Sequence, residues 1–137
     1  LIGFWPGDGS AGDIFGTNNG ILQGGASASA VGLVGSAFSF DGTNGYVQIP
    51  DAPQLKPTNL TVEAWVRFTG LDSQGSGGSP AGDQYIVFKQ NSRSTGFEGF
   101  DLSKTRSGGI DVFRWMVTSS SGVEAATVVV SMTTDPP

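Results

Sequence analysis

The chain has 137 residues, of which 22 are Gly and 7 are Pro, and it carries a net charge of −5. An interior Gly costs a helix about 1 kcal/mol and an interior Pro about 3 kcal/mol, so this composition excludes a bundle of long helices. The chain contains neither Cys nor His, which excludes disulfides, zinc–thiolate sites and the usual Ser-His-Asp arrangement of hydrolases.

The charges are unevenly spread along the chain. Four Asp residues precede Lys56, the first basic residue. Because an acidic surface repels phosphate backbones, nucleic acid is not expected as a partner. No apolar run approaches the roughly 20 residues of a membrane-spanning helix, so no membrane span is expected. No signal peptide opens the chain, and we expect a part of a larger protein whose targeting sequence lies elsewhere.

Alternation with a period of two residues predicts strands along most of the chain. Residues 25–37 are predicted to be an irregular loop, with a single helical turn as the alternative. The polar, Gly-rich segment 70–83 predicts an insertion between strands rather than a linker. The predicted strands cover residues 1–5, 38–41, 46–49, 60–69, 85–89, 97–103, 110–118 and 123–134.

The clearest of these strands covers residues 60–69. Its alternate residues Leu60, Val62, Ala64, Val66 and Phe68 are predicted to face the core. Seven to nine short strands at about ten-residue spacing predict an all-β fold. We therefore expect residues 1–137 to form a single antiparallel two-sheet β-sandwich domain.

The densest polar cluster lies between Asp8 and Gly20 and includes Asp13 and Asn18. Ca²⁺ prefers carboxylate, amide and backbone oxygens, and Gly-rich loops let such oxygens converge. The spacing does not fit an EF-hand loop. A turn whose side chains cap their own backbone is the alternative interpretation.

The three Glu residues are Glu63, Glu98 and Glu124, and no predicted strand carries two of them at alternate positions. A glycosidase needs a pair of carboxylates across a cleft, so we expect no enzyme activity from this chain. Aromatic rings are the other candidates, because a ring that faces a groove can stack on a sugar. Trp65, Tyr85 and Trp115 are the candidate ligand-binding residues, and core packing is the alternative role for each.

Several motifs together resemble the laminin-G-like, concanavalin-A-like lectin and glucanase family. Segment 35–50 carries a Phe-Asp-Gly turn followed by a Tyr-Val-x-Ile-Pro strand, and segment 60–66 reads Leu-Thr-Val-Glu-Ala-Trp-Val. The resemblance extends to about residue 134. The motifs that carry it lie in residues 4–9, 13–22, 35–50, 60–66, 85–89 and 110–117.

The resemblance implies a jelly-roll sandwich of a secreted or cell-surface protein of bacterial type, commonly with a structural Ca²⁺. Carried over by position, it implies a cation held by Asp13, Asn18 and Asp41. The family continues with further strands that this sequence does not contain, so we expect the N-terminal two-thirds of a domain. Missing strands would leave ladder edges unpaired, and self-association through those edges is expected.

The resemblance also implies a function. We expect a non-catalytic binding module for a glycan or a surface glycoprotein. The first alternative is a structural or adhesive spacer domain without a ligand of its own. The second is an accessory domain of an extracellular glycoside hydrolase.

Overall fold

The computed structural model describes residues 1–69, 84–90, 99–107, 110–118 and 124–131. These residues contain eight strands, one short 3₁₀ turn at Pro53–Leu55 and no α-helix. The predictions of an all-β fold and of seven to nine strands are confirmed within this part of the chain. The described residues contain no helix that is long and apolar enough to cross a membrane. The predicted loop 70–83 lies outside the described residues.

The chain divides into two compact units, Leu1–Val62 and Glu63–Pro137. The first unit contains two antiparallel ribbons, in which β1 pairs with β4 and β2 pairs with β3. In the first ribbon Leu22 lies directly opposite Val47. The strands are β1 (Ile21–Gln23), β2 (Ser27–Val31), β3 (Ser36–Ser39) and β4 (Tyr46–Gln48).

The prediction of an irregular loop over residues 25–37 is wrong. Strands β2 and β3 occupy much of this segment, and the Gly32 backbone N–H donates to the Gly35 carbonyl at 3.0 Å in the turn between them. The large apolar residues of this segment, Val31, Leu33 and Val34, are exposed, whereas the small residue Ala28 is buried. Small side chains are sufficient here because the ladder is held by backbone hydrogen bonds.

The second unit contains one four-stranded antiparallel sheet in the order β5-β6-β7-β8. Each strand pairs with the next one in the sequence. The predicted strand over 110–118 is confirmed at both ends, and the other three are confirmed within a few residues. The strands are β5 (Gln84–Gln90), β6 (Gly99–Ser107), β7 (Ile110–Thr118) and β8 (Glu124–Ser131).

Two other predicted strands are absent from the described structure. Residues 60–69 pair with no strand in the described ranges, and Leu60, Ala64 and Val66 of the predicted core face are exposed. Alternation makes a segment able to form a strand, but the ladder also needs a neighbouring backbone. In segment 1–5, the Phe4 backbone N–H donates instead to a carboxylate oxygen of Asp13, at 2.9 Å.

Burial in the described residues is unusual, because few large apolar side chains are covered. The buried hydrophobic residues are Ala11, Ala28 and Val112. The largest fully buried side chains all belong to β6: Asp101, Ser103 and Lys104. Charged residues are almost never fully buried unless they are paired. The buried charged residues of β6 are paired with Asp111 and Arg114 of β7, and these contacts help to hold the two strands together.

Candidate functional site

Asp13 organises the N-terminal loop of the first unit. Its Oδ1 atom accepts hydrogen bonds from the backbone N–H groups of Phe4, Phe15 and Gly16 at 2.9, 3.1 and 2.9 Å. Its Oδ2 atom accepts from the Asn18 backbone N–H at 3.1 Å and from Asn18 Nδ2 at 3.3 Å. One carboxylate thus ties residues that lie on both sides of it in the sequence.

These contacts determine the electrostatics of Asp13. Desolvation of the carboxylate acts to raise its pKa, whereas the backbone N–H groups of Gly16, Phe4, Asn18 and Phe15 act to lower it. The hydrogen bonds prevail, and they hold the pKa of Asp13 well below its usual range. The carboxylate is therefore ionised wherever the loop is folded at neutral pH.

Asn18 is equally engaged by its neighbours. Its Nδ2 group donates to Asp13, and its Oδ1 atom accepts from Gln54 Nε2 at 2.8 Å. A cation needs oxygen lone pairs that are free to coordinate it, and the N–H groups around Asp13 carry partial positive charge. The residues present fit a self-capping turn rather than a cation at Asp13, and calcium stays a prediction.

Asp41 lies in a separate turn of the same unit. Its Oδ1 atom accepts from the backbone N–H groups of Thr43, Asn44 and Gly45, and its Oδ2 atom accepts from the Thr43 hydroxyl at 2.7 Å. The Thr43 hydroxyl and these N–H groups hold the pKa of Asp41 well below its usual range. Asp41 and Asp13 share no hydrogen-bond partner in the described structure, and those residues contain no cluster of three metal-ligating side chains.

The three candidate aromatic residues belong to the second unit. Trp65 is 92% exposed, in a segment without strand pairing. Tyr85 is half-exposed on β5, and Trp115 is partly buried on β7. Trp115 lies directly opposite Leu102, whereas Tyr85 lies opposite Ser103. Neighbouring residues of a strand point to opposite faces, so Tyr85 and Trp115 lie on different faces of the sheet.

The rings of Tyr85 and Phe88 form an edge-to-face pair. Their centroids are 5.1 Å apart and their planes are inclined at 72°. Residues three apart in a regular strand point to opposite faces, but the register of β5 shifts between Tyr85 and Val87. This irregularity brings both rings to one face, where each is about half-exposed.

Trp115 contributes to the opposite face. Its ring packs on the ring of Phe100, with centroids 5.7 Å apart. The interplanar angle is 33°, and both side chains are only partly exposed. This contact gives Trp115 a packing role within the sheet.

A polar group of three residues, Asp101, Ser103 and Arg114, lies beside the Tyr85–Phe88 pair. None of the three was a candidate from the sequence. Asp101 lies opposite Phe88, and Ser103 lies between Tyr85 and Arg114 in the register. The Ser103 hydroxyl donates to Asp101 Oδ1 at 3.0 Å, and Arg114 Nη2 lies 3.6 Å from the same oxygen. In the sequence, Asp101 and Ser103 alternate with Phe100 and Leu102. This alternation indicates that the two polar side chains share one face of the strand.

Comparison with known proteins adds no assignment to this geometry. No protein-family model matches the sequence, and neither a curated protein nor a solved structure matches the chain. The function is therefore inferred from the side chains of the chain itself.

Proposed function

We propose that the chain is a non-catalytic binding module of a larger secreted or cell-surface protein, and that its ligand is a glycan. The observation that carries this proposal is the half-exposed Tyr85–Phe88 pair on the same sheet face as Arg114. Aromatic faces stack on the apolar side of a sugar ring, and a guanidinium supplies several donors for hydroxyl oxygens. The laminin-G-like jelly-roll topology and a glycoprotein ligand belong to the same proposal.

The polar group supports this assignment. Asp101 is fully buried and holds both the Ser103 hydroxyl and Arg114. A buried carboxylate that fixes a partly exposed guanidinium reduces the side-chain entropy that ligand binding would otherwise cost. The Arg114 side chain is 24% exposed. An aromatic surface beside a positioned polar group is the composition expected of a small-ligand site.

The alternatives make different demands on the same residues. A spacer domain without a ligand would bury its aromatic rings, whereas Trp65 and Tyr85 are exposed. An accessory domain of a hydrolase would bind the substrate of the catalytic domain. The same aromatic surface would serve for that binding. The buried carboxylates Asp101 and Asp111 lie on opposite faces of the sheet by their register. This separation favours binding over hydrolysis.

The proposal is tested by screening the 137-residue chain against an array of neutral and acidic glycans. We expect Tyr85→Ala to weaken binding of the selected glycan about tenfold, equivalent to about 1.4 kcal/mol. Tyr46→Ala is the matched control, because Tyr46 is a similarly exposed tyrosine of the first unit. Absence of any glycan ligand, or equal loss in both variants by titration calorimetry, would contradict the proposal.

A further inference from the structure

Strands β6 and β7 carry a buried pair of opposite charges. Lys104 is fully buried, and its Nζ atom lies 3.3 Å from Asp111 Oδ2. The side chain of Asp111 is only 4% exposed. In the register, Lys104 lies opposite Phe113, two residues beyond Asp111. The two side chains are therefore diagonal neighbours on one face of the sheet.

Two aromatic rings lie beside the Lys104 end of this pair. The Lys104 ammonium lies 5.2 Å from the centroid of the Phe68 ring. The rings of Phe68 and Phe113 are in contact, with centroids 6.1 Å apart. Phe113 also lies directly opposite Lys104 in the ladder. The buried amine and carboxylate thus meet beside two aromatic rings, on two adjacent, hydrogen-bonded strands.

Keeping such a pair ionic is costly. Removing an ammonium and a carboxylate from water carries a penalty of several kcal/mol for each ion, which their mutual attraction repays only with excellent geometry. The neutral amine and carboxylic acid differ from the ion pair by the transfer of one proton between contacting atoms. The same two neutral groups are the reactants of amide formation.

We propose that Lys104 and Asp111 condense to an amide, which cross-links β6 to β7 within the chain. The proton first moves from the Lys104 ammonium to the Asp111 carboxylate. The neutral Nζ then attacks Cγ of Asp111 and forms a C–N bond. The C–OH bond breaks, and the hydroxyl leaves as water with a proton from the nitrogen. Nothing is oxidised or reduced, and the step needs no co-reactant.

The geometry favours this reaction in the folded chain. Reacting atoms held about 3–3.5 Å apart react as if present at very high effective concentration. Nζ already contacts an oxygen bonded to the target carbon, at 3.3 Å. Burial also hinders water from reaching the product and hydrolysing it. An unfolded chain has neither advantage, so the bond is expected to form only after folding.

The intact mass of the purified 137-residue chain tests the proposal directly. We expect a mass lower than the sequence mass by one water molecule, and the full sequence mass for Lys104→Met and for Asp111→Ala. Asp111→Asn is the informative variant. Condensation of Lys104 with the side-chain amide of this variant would release ammonia, so its mass would fall by one ammonia molecule in place of one water molecule. A parent chain at its full sequence mass would overturn the proposal, and this measurement does not depend on any variant folding.

One other reaction also releases water. The chain contains two Asp-Gly steps, Asp8-Gly9 and Asp41-Gly42, which can close to cyclic imides. Such an imide persists in Lys104→Met and is cleaved by hydroxylamine, whereas the proposed amide is absent from that variant and resists hydroxylamine in the parent. Tandem mass spectra of a proteolytic digest then locate the bond. Water loss that survives in Lys104→Met, or that maps to an Asp-Gly step, would refute the cross-link.

Discussion

At the scale of single residues, Asp13 shows how one carboxylate can replace regular secondary structure. It accepts hydrogen bonds from three backbone N–H groups at one oxygen and from Asn18 at the other. Buried N–H groups need partners, and this loop has no ladder to supply them. The short side chain therefore satisfies the Phe4 N–H, which a strand at residues 1–5 would have paired, together with three backbone donors of its own loop.

The depressed pKa of Asp13 makes the stability of the chain depend on pH. In the unfolded chain this carboxylate titrates at about its ordinary value of 3.9. Its folded pKa is lower, so the stabilisation is complete above about pH 4 and is lost as the pH falls towards the folded value. We expect the melting temperature to decline below pH 4, and to decline less in Asp13→Asn. Thermal unfolding followed by circular dichroism measures both.

The same variant has a defined effect at neutral pH. Asparagine cannot supply two negatively charged oxygens, so we expect Asp13→Asn to melt about 5 °C below the parent chain. Asp8→Asn is the control, because Asp8 is exposed and its carboxylate accepts one hydrogen bond in the described structure, from the Ser36 backbone N–H at 3.1 Å. Equal melting temperatures for the parent and Asp13→Asn would show that the carboxylate does not organise the loop. Curves recorded with EDTA and with Ca²⁺ test the calcium prediction in the same series.

The sequence predicted which polar residues of the first unit lie together only in part, and it did not predict their role. Asp13 and Asn18 were predicted to lie together, and they do. Asp41 was grouped with them through a family resemblance, but its partners are its own neighbours in the turn. Asx residues serve equally as cation ligands and as turn caps, so composition does not separate the two roles. The direction of the neighbouring N–H groups does.

At the scale of strands, β5 and β6 meet at a position that only glycine can occupy. Gly99 has φ of +149°, and a Cβ atom built on it would collide with the Lys89 carbonyl oxygen. That oxygen belongs to the backbone of the paired strand. A side chain at this position would therefore force the two strands apart.

We expect Gly99→Ala to lower the free energy of unfolding by about 2–3 kcal/mol, because it adds backbone strain to a collision with the neighbouring strand. Chemical denaturation of both chains measures the difference. Gly12→Ala is the matched control, since the nearest atom to its Cβ would be Ser10 Oγ at 3.3 Å. Gly99→Ala as stable as Gly12→Ala would show that the β5–β6 pairing is not as close as described.

Strand prediction succeeded where both ends and the pairing were encoded locally. Residues 110–118 are rich in β-branched and aromatic side chains and follow the pair Gly108-Gly109. Residues 60–69 alternate as clearly, yet they have no ladder partner in the described chain. The irregularity after Tyr85 also has no local signature. Pairing depends on distant segments, which a periodic pattern does not identify.

At the scale of the whole molecule, many large apolar side chains remain exposed. Val31 at the end of β2 is 96% exposed, and β2 pairs only with β3 among the described strands. An exposed strand edge with apolar side chains is a template for pairing with another chain. The edge of β2 is therefore the specific site at which we expect the self-association predicted from the sequence.

We expect the chain to associate as its concentration rises, and Val31→Lys to shift the equilibrium towards monomer. A lysine on an edge strand opposes edge-to-edge pairing by charge repulsion and by the cost of desolvation. Val31 is almost fully exposed, so its replacement leaves the fold of the first unit intact. Ile14→Lys is the control, because Ile14 is an exposed apolar residue outside any strand. In sedimentation velocity, a parent chain that stays monomeric at every concentration, or an equal effect of both lysines, would exclude association through this edge.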